Sequence, residues 1–493
     1  MVQSVDHVAL LPAYLAAGTA VLVFLVDLVL ARRGAVLFAG AVGSIATAAG
    51  AAWLGTRPDR RTFCVDGDAC SYVANDRAAL IAVLFAVLTL GVYGLSGALL
   101  RSGTVPAGEY CFLLACAMTG GVVLGFAGDL ITLIVALETL TLPLYLLVGL
   151  RRGSVESAEG AVTFFVVSVV ATAVTLLGAA LLYALTGAVH LNRLAAALAA
   201  DDDRLRALPL TATAVVLVLV GLAFKVAAVP LHAWAPVAYD GAPIPVAAYL
   251  STASKLGGVV AILYVTVGAL RPWLDVAGPA LAVLAVLTMT VGNLVALRQR
   301  RMVRLLAWSS VAQAGYILAP LGAFALSAGR TAEALSLAVA ATVAYTIFYV
   351  VLELGAFGAV VALRPADADG GSLEDYRGAA YRLPWVAGAF VLALIGLAGL
   401  PPGLAGLFAK VAVVRSLLGG GAGWLAVVVA LNAVVGLAYY VRAAAALFGA
   451  PVAAAGPRRA RIAWPVAATL GLATLVGLVI GFAPQLILDA ASR

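Results

Sequence analysis

The sequence predicts an all-α integral membrane protein of about 14 transmembrane helices, and composition and the length of its apolar runs are what predict it. The chain has 493 residues, of which 64% are hydrophobic and only 11% charged, and its mean hydropathy is +1.10. Soluble domains carry about 25% charged residues, so this chain cannot cover a water-exposed surface. Near-unbroken apolar stretches such as 10–30 and 80–100 have the ~20 residues that span a bilayer core.

Taken in order, the apolar spans are 10–30, 35–55, 79–100, 108–127, 130–150, 161–186, 209–235, 245–269, 278–297, 304–323, 334–363, 384–417, 424–448 and 463–483. They read as helices because a backbone in lipid must satisfy its own hydrogen bonds. Strands of a membrane barrel would alternate in polarity over about ten residues, and these runs do not. The first span lacks the basic start and small-residue cleavage site of a signal peptide, so 1–30 reads as a spanning helix.

Arginines set the orientation. Arg32/Arg33, Arg101, Arg151/Arg152, Arg298/Arg300/Arg301/Arg304, Arg377/Arg382 and Arg458/Arg459/Arg461 lie in alternating connections, which places them on one side, expected to be cytoplasmic. Both termini then face the other side. The loop from Thr56 to Arg77 runs against this pattern, with Arg57, Arg60, Arg61 and Arg77 on the far side. The net charge of +7 is therefore distributed as membrane topology requires, and no basic-and-aromatic patch suits a nucleic acid. Cys111 and Cys116 fall in an apolar span and read as packing residues. Cys64 and Cys70 flank the segment CVDGDAC, where a small disulfide loop or two free thiols are the alternatives.

Lysine carries the most information. The chain has three, Lys225, Lys255 and Lys410, and each sits inside an apolar span, whereas every loop cation is arginine. Arginine stays protonated under nearly all conditions, while the proton affinity of lysine responds to burial. A group that must gain and lose a proton inside a membrane is therefore better made of lysine; the alternative is a side chain snorkelling from a helix end. Glu138 lies mid-span, and an isolated carboxylate there is expensive unless protonated or paired. Moving relative to Lys225, it would switch that lysine's proton affinity; a static ion pair is the alternative. Pro230 frees the carbonyl of Val226, and Pro401 and Pro402 free those of Leu397 and Ala398, beside the buried lysines. Such interruptions in spans 7 and 12, five spans apart and so oppositely directed, suggest inverted repeats. His232 is a candidate relay group between Lys225 and Lys255, or else structural. Glu353 is a further intramembrane acid, and Asp27 and Asp129 lie near span ends and are expected to be wet. No nucleotide-binding glycine loop, CxxC pair or haem-type histidine pair is present, so no cofactor and no metal are expected in this chain.

The segment GLAFKVAAVPLHAWAPVAYDGAPIPVAAYLSTASKLGG resembles the central motif of the N subunits of proton-pumping NADH-quinone oxidoreductase, respiratory complex I. ALETLTLPLYLLVG, RRMVRLLAWSSVAQAGYIL, LIGLAGLPPGLAGLFAKVAVV and LAYYVRAAAALF are similar to that family in the same order, over about 121–449. The stretch Tyr239–Pro243 (YDGAP) separates the chain from the L and M relatives. The resemblance implies two inverted five-helix repeats: helices 1–3 in 1–106, a first repeat in 107–270, a second in 271–450 and a last helix in 451–493. It implies a coupled Glu138–Lys225 pair, Lys255 as central relay and Lys410 as terminal donor. It places NADH, FMN, iron-sulfur clusters and quinone in partner subunits and surrounds the chain with other membrane subunits, antiporter-like neighbours included, in a bacterial inner membrane. A cation/proton antiporter subunit shares these helices and is the alternative, as is a structural scaffold. Two departures stand out: Thr163 and Gln313 occupy positions where the family commonly has lysine and histidine.

Overall fold

The computed structural model describes residues 5–65, 67–366, 368–450 and 462–492. Among them, twelve helices are long and apolar enough to cross a membrane: Leu11–Leu30, Arg33–Gly55, Asp76–Ser102, Ala107–Gly125, Leu130–Val148, Val155–Thr186, Pro209–Val226, Ile244–Ala269, Arg271–Ala296, Ala332–Leu363, Gly423–Phe448 and Trp464–Phe482. The chain is a multi-pass membrane protein. The other two expected spans fall on Met302–Gly322 and on the pair Pro384–Ala398 and Leu404–Gly419. In Met302–Gly322 every residue except Arg304 and Trp308 is buried. A helix shielded from lipid by its neighbours can carry Ser309, Ser310 and Gln313 without exposing them to hydrocarbon.

Both interruptions are real breaks. The helix from Pro209 tightens over Phe224–Val226, and Ala227 adopts a left-handed conformation (φ 57°). The chain resumes as a helix at Trp234–Gly241. Pro384–Ala398 ends at left-handed Gly399 (φ 82°), and Leu404–Gly419 follows. The Val229–Pro230 and Pro401–Pro402 peptide bonds are cis. A Cβ at Gly406 would lie 1.7 Å from the Gly396 carbonyl oxygen, so only glycine lets the two halves of this break approach as they do.

A hairpin and three short helices were not expected. The loop from Thr56 to Arg77 folds into an antiparallel hairpin, β1 (Arg60–Cys64) and β2 (Cys70–Ala74), closed by a Cys64–Cys70 disulfide. Tyr72 stacks on Phe126 at 4.8 Å, and Asn192 donates to the Asp68 carbonyl at 3.0 Å, which seats the hairpin on the helical body. Short helices Leu191–Ala200 and Asp202–Ala207 fill the acidic connection at 201–203, and Gln485–Ser492 ends the described chain. Asp66 of the hairpin loop lies outside the described residues.

The arginine-rich connections gather as expected. Arg33 donates to the Arg101 carbonyl at 3.3 Å. Arg301 bridges Asp240 and Asp369, each at 2.9 Å, and Arg364 joins Asp369 at 3.3 Å. Arg458, Arg459 and Arg461 lie outside the described residues. At the opposite end Asp6 pairs with Arg60 of the hairpin. Cys111 is buried and Cys116 partly so, both as free thiols. The expectation for Asp129 is corrected: it is only 3% exposed, because its carboxylate caps Leu130–Val148 by accepting from the Thr132 amide at 2.6 Å. Asp27 is partly buried.

Candidate functional site: a buried polar line

The first centre joins three helices. Lys225, 5% exposed, donates from Nζ to Glu138 Oε1 at 2.7 Å, while the Glu138 side chain keeps 25% exposure. The same ammonium donates to Thr141 Oγ1 at 3.2 Å and Ser168 Oγ at 3.4 Å. Thr172 donates to Glu138 Oε1 at 2.7 Å, and Tyr145 donates to Ser168. Glu138, Thr141 and Tyr145 share one face of Leu130–Val148, and Ser168 and Thr172 share one face of Val155–Thr186. These hydroxyls were missed at the sequence level. Their three- and four-residue spacing from the acid, or from each other, was the available signal.

The second centre is Lys255, 1% exposed, on the helix Ile244–Ala269. Its ammonium donates to the Ser310 carbonyl. Ser310 Oγ exchanges a hydrogen bond with Tyr349 OH at 2.7 Å, and Tyr239 OH of the YDGAP stretch lies 3.4 Å from the same oxygen. The two lysine-bearing elements pack backbone to backbone: a Cβ on Gly258, three residues beyond Lys255, would meet the Lys225 carbonyl carbon at 2.8 Å. Glu353 is fully buried and neither carboxyl oxygen has a hydrogen-bond partner among the described residues. It lies within electrostatic reach of Lys255 without forming an ion pair with it, and near Tyr239, Tyr349 and Tyr440.

The third centre surrounds the second helix break. Lys410 donates to the carbonyls of Leu397, at 3.2 Å, and Ala398. These are the two carbonyls that Pro401 and Pro402 release, so the ammonium itself takes them. Its Nζ also stands 5.2 Å over the Tyr316 ring. Gln313 connects this centre to the second one. Its Nε2 donates to Leu397 O at 3.0 Å and Tyr440 OH at 2.9 Å, and its Oε1 accepts from Tyr345 at 2.6 Å. Tyr440 in turn bonds to Ser309, the neighbour of Ser310.

His232 sits at the first break. Its Nδ1 is 3.2 Å from the Pro230 carbonyl oxygen and its ring packs against Trp308 at 5.2 Å. No hydrogen bond joins it to Lys225 or Lys255 among the described residues. Thr163 lies partly buried on Val155–Thr186, on the face opposite Thr172. Among the described residues no three His, Cys, Asp or Glu side chains cluster as metal ligands do.

The many-helix membrane architecture belongs to a class of antiporter-like membrane subunits, as the comparisons show. Residues 127–436 match the family described as "NADH:quinone oxidoreductase/Mrp antiporter, TM". The chain is 67% identical to NADH-quinone oxidoreductase subunit N of Salinispora tropica, over the whole of both chains. It is 44% identical to NADH-quinone oxidoreductase subunit N 2 of Streptomyces griseus, over 100% of this chain and 94% of that one. A chain of respiratory complex I from Thermus thermophilus superposes with a TM-score of 0.79 at 30% identity, covering 97% of this chain and 99% of its own. A chain of the Mrp complex from Dietzia shares the fold at 23% identity, with a TM-score of 0.79 and coverage of 98% and 96%. The chain belongs to the NADH-quinone oxidoreductase subunit N family.

Proposed function

We propose that the chain translocates protons as a membrane subunit of NADH-quinone oxidoreductase, along a line running Glu138, Lys225, Lys255, Lys410. Quinone reduction elsewhere in the complex drives it, and NADH, FMN, iron-sulfur clusters and quinone reside in partner subunits. The observation that carries the reading is that each of the chain's three lysines, Lys225 and Lys255 buried and Lys410 partly so, holds polar partners within the helical body rather than lying against hydrocarbon alone. Hydroxyls both donate and accept, so they pass protons between ammonium groups when they rotate. Glu138 acts as the switch: seated on Lys225 it holds the proton, and withdrawn it releases it. Glu353 is a second counter-charge facing Lys255. His232, which bonds to the Pro230 carbonyl and packs on Trp308 rather than hydrogen-bonding to a lysine among the described residues, serves as a side group rather than a link. The two broken helices belong to two inverted repeats, 107–270 and 271–450, with a fourteen-helix count that includes Met302–Gly322 and the Pro384–Gly419 pair. Full-length likeness to N subunits, at 67% identity, favours this assignment over a cation/proton antiporter subunit, which the Mrp likeness supports in fold alone.

Lys255→Met tests it. Lys255 makes no ion pair within 4.0 Å among the described residues, so the nearly isosteric apolar residue leaves no charge stranded in direct contact. The expected result is an assembled complex whose NADH-driven proton pumping, with its coupled oxidation, falls at least tenfold. Undiminished pumping would leave the buried lysine a scaffold.

A further inference from the structure

At the end of the molecule that carries the disulfide hairpin, a crevice of about 710 Å³ runs between the helices Ile244–Ala269 and Ala332–Leu363. Leu256, Val260 and Leu263 form one wall, and Val339, Val343 and Ile347 the other. Among the described residues, Arg61 of the hairpin, Arg77, Arg271 and Asp68 line its mouth. Arg61 and Arg271 are exposed. The lining on the first wall runs from Leu256 to Gly268 and on the second from Leu335 to Ile347. Twelve helical steps of about 1.5 Å make each wall about 18 Å deep. That is close to half of a hydrocarbon core of about 30 Å, the depth of one leaflet.

We propose that this crevice is a binding site for a single anionic glycerophospholipid. An apolar body one leaflet deep, capped by an excess of guanidinium groups at headgroup level, matches an acyl chain and a phosphate in the order in which a lipid presents them. Guanidinium forks bind phosphate oxygens in pairs and are weakly hydrated, so they hold a headgroup at a membrane surface better than ammonium does. The hairpin is a fixed part of the mouth. The Cys64–Cys70 bridge, the Tyr72–Phe126 stack and the Asn192–Asp68 hydrogen bonds hold it against the helices, so Arg61 is presented to the crevice at a set height. Charge complementarity to the exposed Arg61 and Arg271 and the leaflet depth favour an anionic lipid over a protein segment. The bound chain would lie directly on the helix that carries Lys255, one residue before Leu256. The inference rests on the crevice alone and holds whether or not that lysine carries protons.

The test uses the purified complex containing this chain, stripped of loosely held lipid and incubated with phosphatidylglycerol or phosphatidylcholine, each carrying a diazirine in one acyl chain. After illumination, labelled peptides are mapped by mass spectrometry. Phosphatidylglycerol is expected to label 256–268 and 335–347 at least fivefold more than phosphatidylcholine. Arg61→Gln combined with Arg271→Gln, both at exposed positions, is expected to abolish that difference, and the paired lysine substitutions to keep part of it. Equal labelling by the two lipids in the wild-type complex would reduce the site to ordinary annular contact and overturn the proposal. So would the absence of label on both walls, which would mean that a neighbouring subunit covers them.

Discussion

Replacing Lys225 by methionine removes one partner of the Glu138 ion pair and leaves the other in place. At 2.7 Å the two charges attract by about 6 kcal/mol for an effective dielectric constant of about 20. Desolvation already offsets part of that, and breaking buried pairs costs about 3–5 kcal/mol because the remaining charge is stranded. Glu138 is 25% exposed and keeps its hydrogen bonds from Thr172 and Thr141, which places the cost at the lower end, about 3 kcal/mol. That is roughly a hundredfold in the folding or assembly equilibrium. Glu138→Gln combined with Lys225→Met removes both charges, and most of this cost, about 2 kcal/mol or more, is expected to return. Pumping is not expected to return with it. Thermal inactivation of the assembled complex reads the stability. Dye quenching by NADH-energised inside-out vesicles reads the pumping. The single variant should be unstable and inactive, and the double variant stable and still reduced at least tenfold. A double variant that regains both would show that Lys225 only balances Glu138, and the relay argument would fail.

Glu353→Gln keeps the shape of a fully buried side chain while removing its charge, so the complex is expected to assemble at least as well as wild type while pumping slows severalfold; wild-type pumping would exclude Glu353 from the line. Gln313→Leu strands the hydroxyl of Tyr345, while Tyr440 keeps Ser309, at about 1–3 kcal/mol in thermal stability, whereas Gln313→His is expected to keep most of the activity because an imidazole can meet the same hydroxyls. Burial raises the Asp369 carboxyl, but the hydrogen bond and charge of Arg301, with the Gly371 amide and Arg364, outweigh it and hold the group below the usual carboxylate range. A lowered value means that its ionised form contributes stability in full above about pH 5 and loses it as pH falls through the carboxylate range. The melting-temperature difference between wild type and Asp369→Asn is therefore expected to be constant above about pH 5 and to shrink below about pH 4; a difference independent of pH would remove the ion pair from the account.

Much of the fold was legible because hydrocarbon imposes a strict length on helices, and the lysines were legible because nothing else in the apolar spans resembles them. The pairing of Glu138 with Lys225 was a different matter: 87 residues separate them and no periodicity links two helices so far apart, so it rested on the cost of an unpaired intramembrane carboxylate and on the resemblance. Asp129 was misread because proximity to a span end suggests water, while capping draws the carboxylate inward. The hairpin escaped because five-residue strands in a polar loop leave little alternation to read. Tyr349, Tyr440 and Ser310 escaped for the opposite reason. A tyrosine or serine on an apolar helix reads as packing until the lysine it faces is known. Pro401 and Pro402 pointed to freed carbonyls at Leu397 and Ala398, but that Lys410 donates to both became visible only in three dimensions.

The three ammonium groups are held by different kinds of negative partner. Among the described residues, Lys225 faces a full formal charge in contact, Lys255 a carboxyl group at a distance and a carbonyl, and Lys410 the electronegative pole of a severed helix and the face of Tyr316. Read as a line of proton carriers, the chain therefore has a built-in bias. The grip on a cation loosens from an ion to a dipole along its length, and a dipole fixed in the backbone cannot be neutralised by taking up the proton it has just been offered. A carrier at that end hands its proton onward without a local acid competing for it. The same helices could thus act as a rectifier with only one moving charge, at the Glu138 end, setting the stroke.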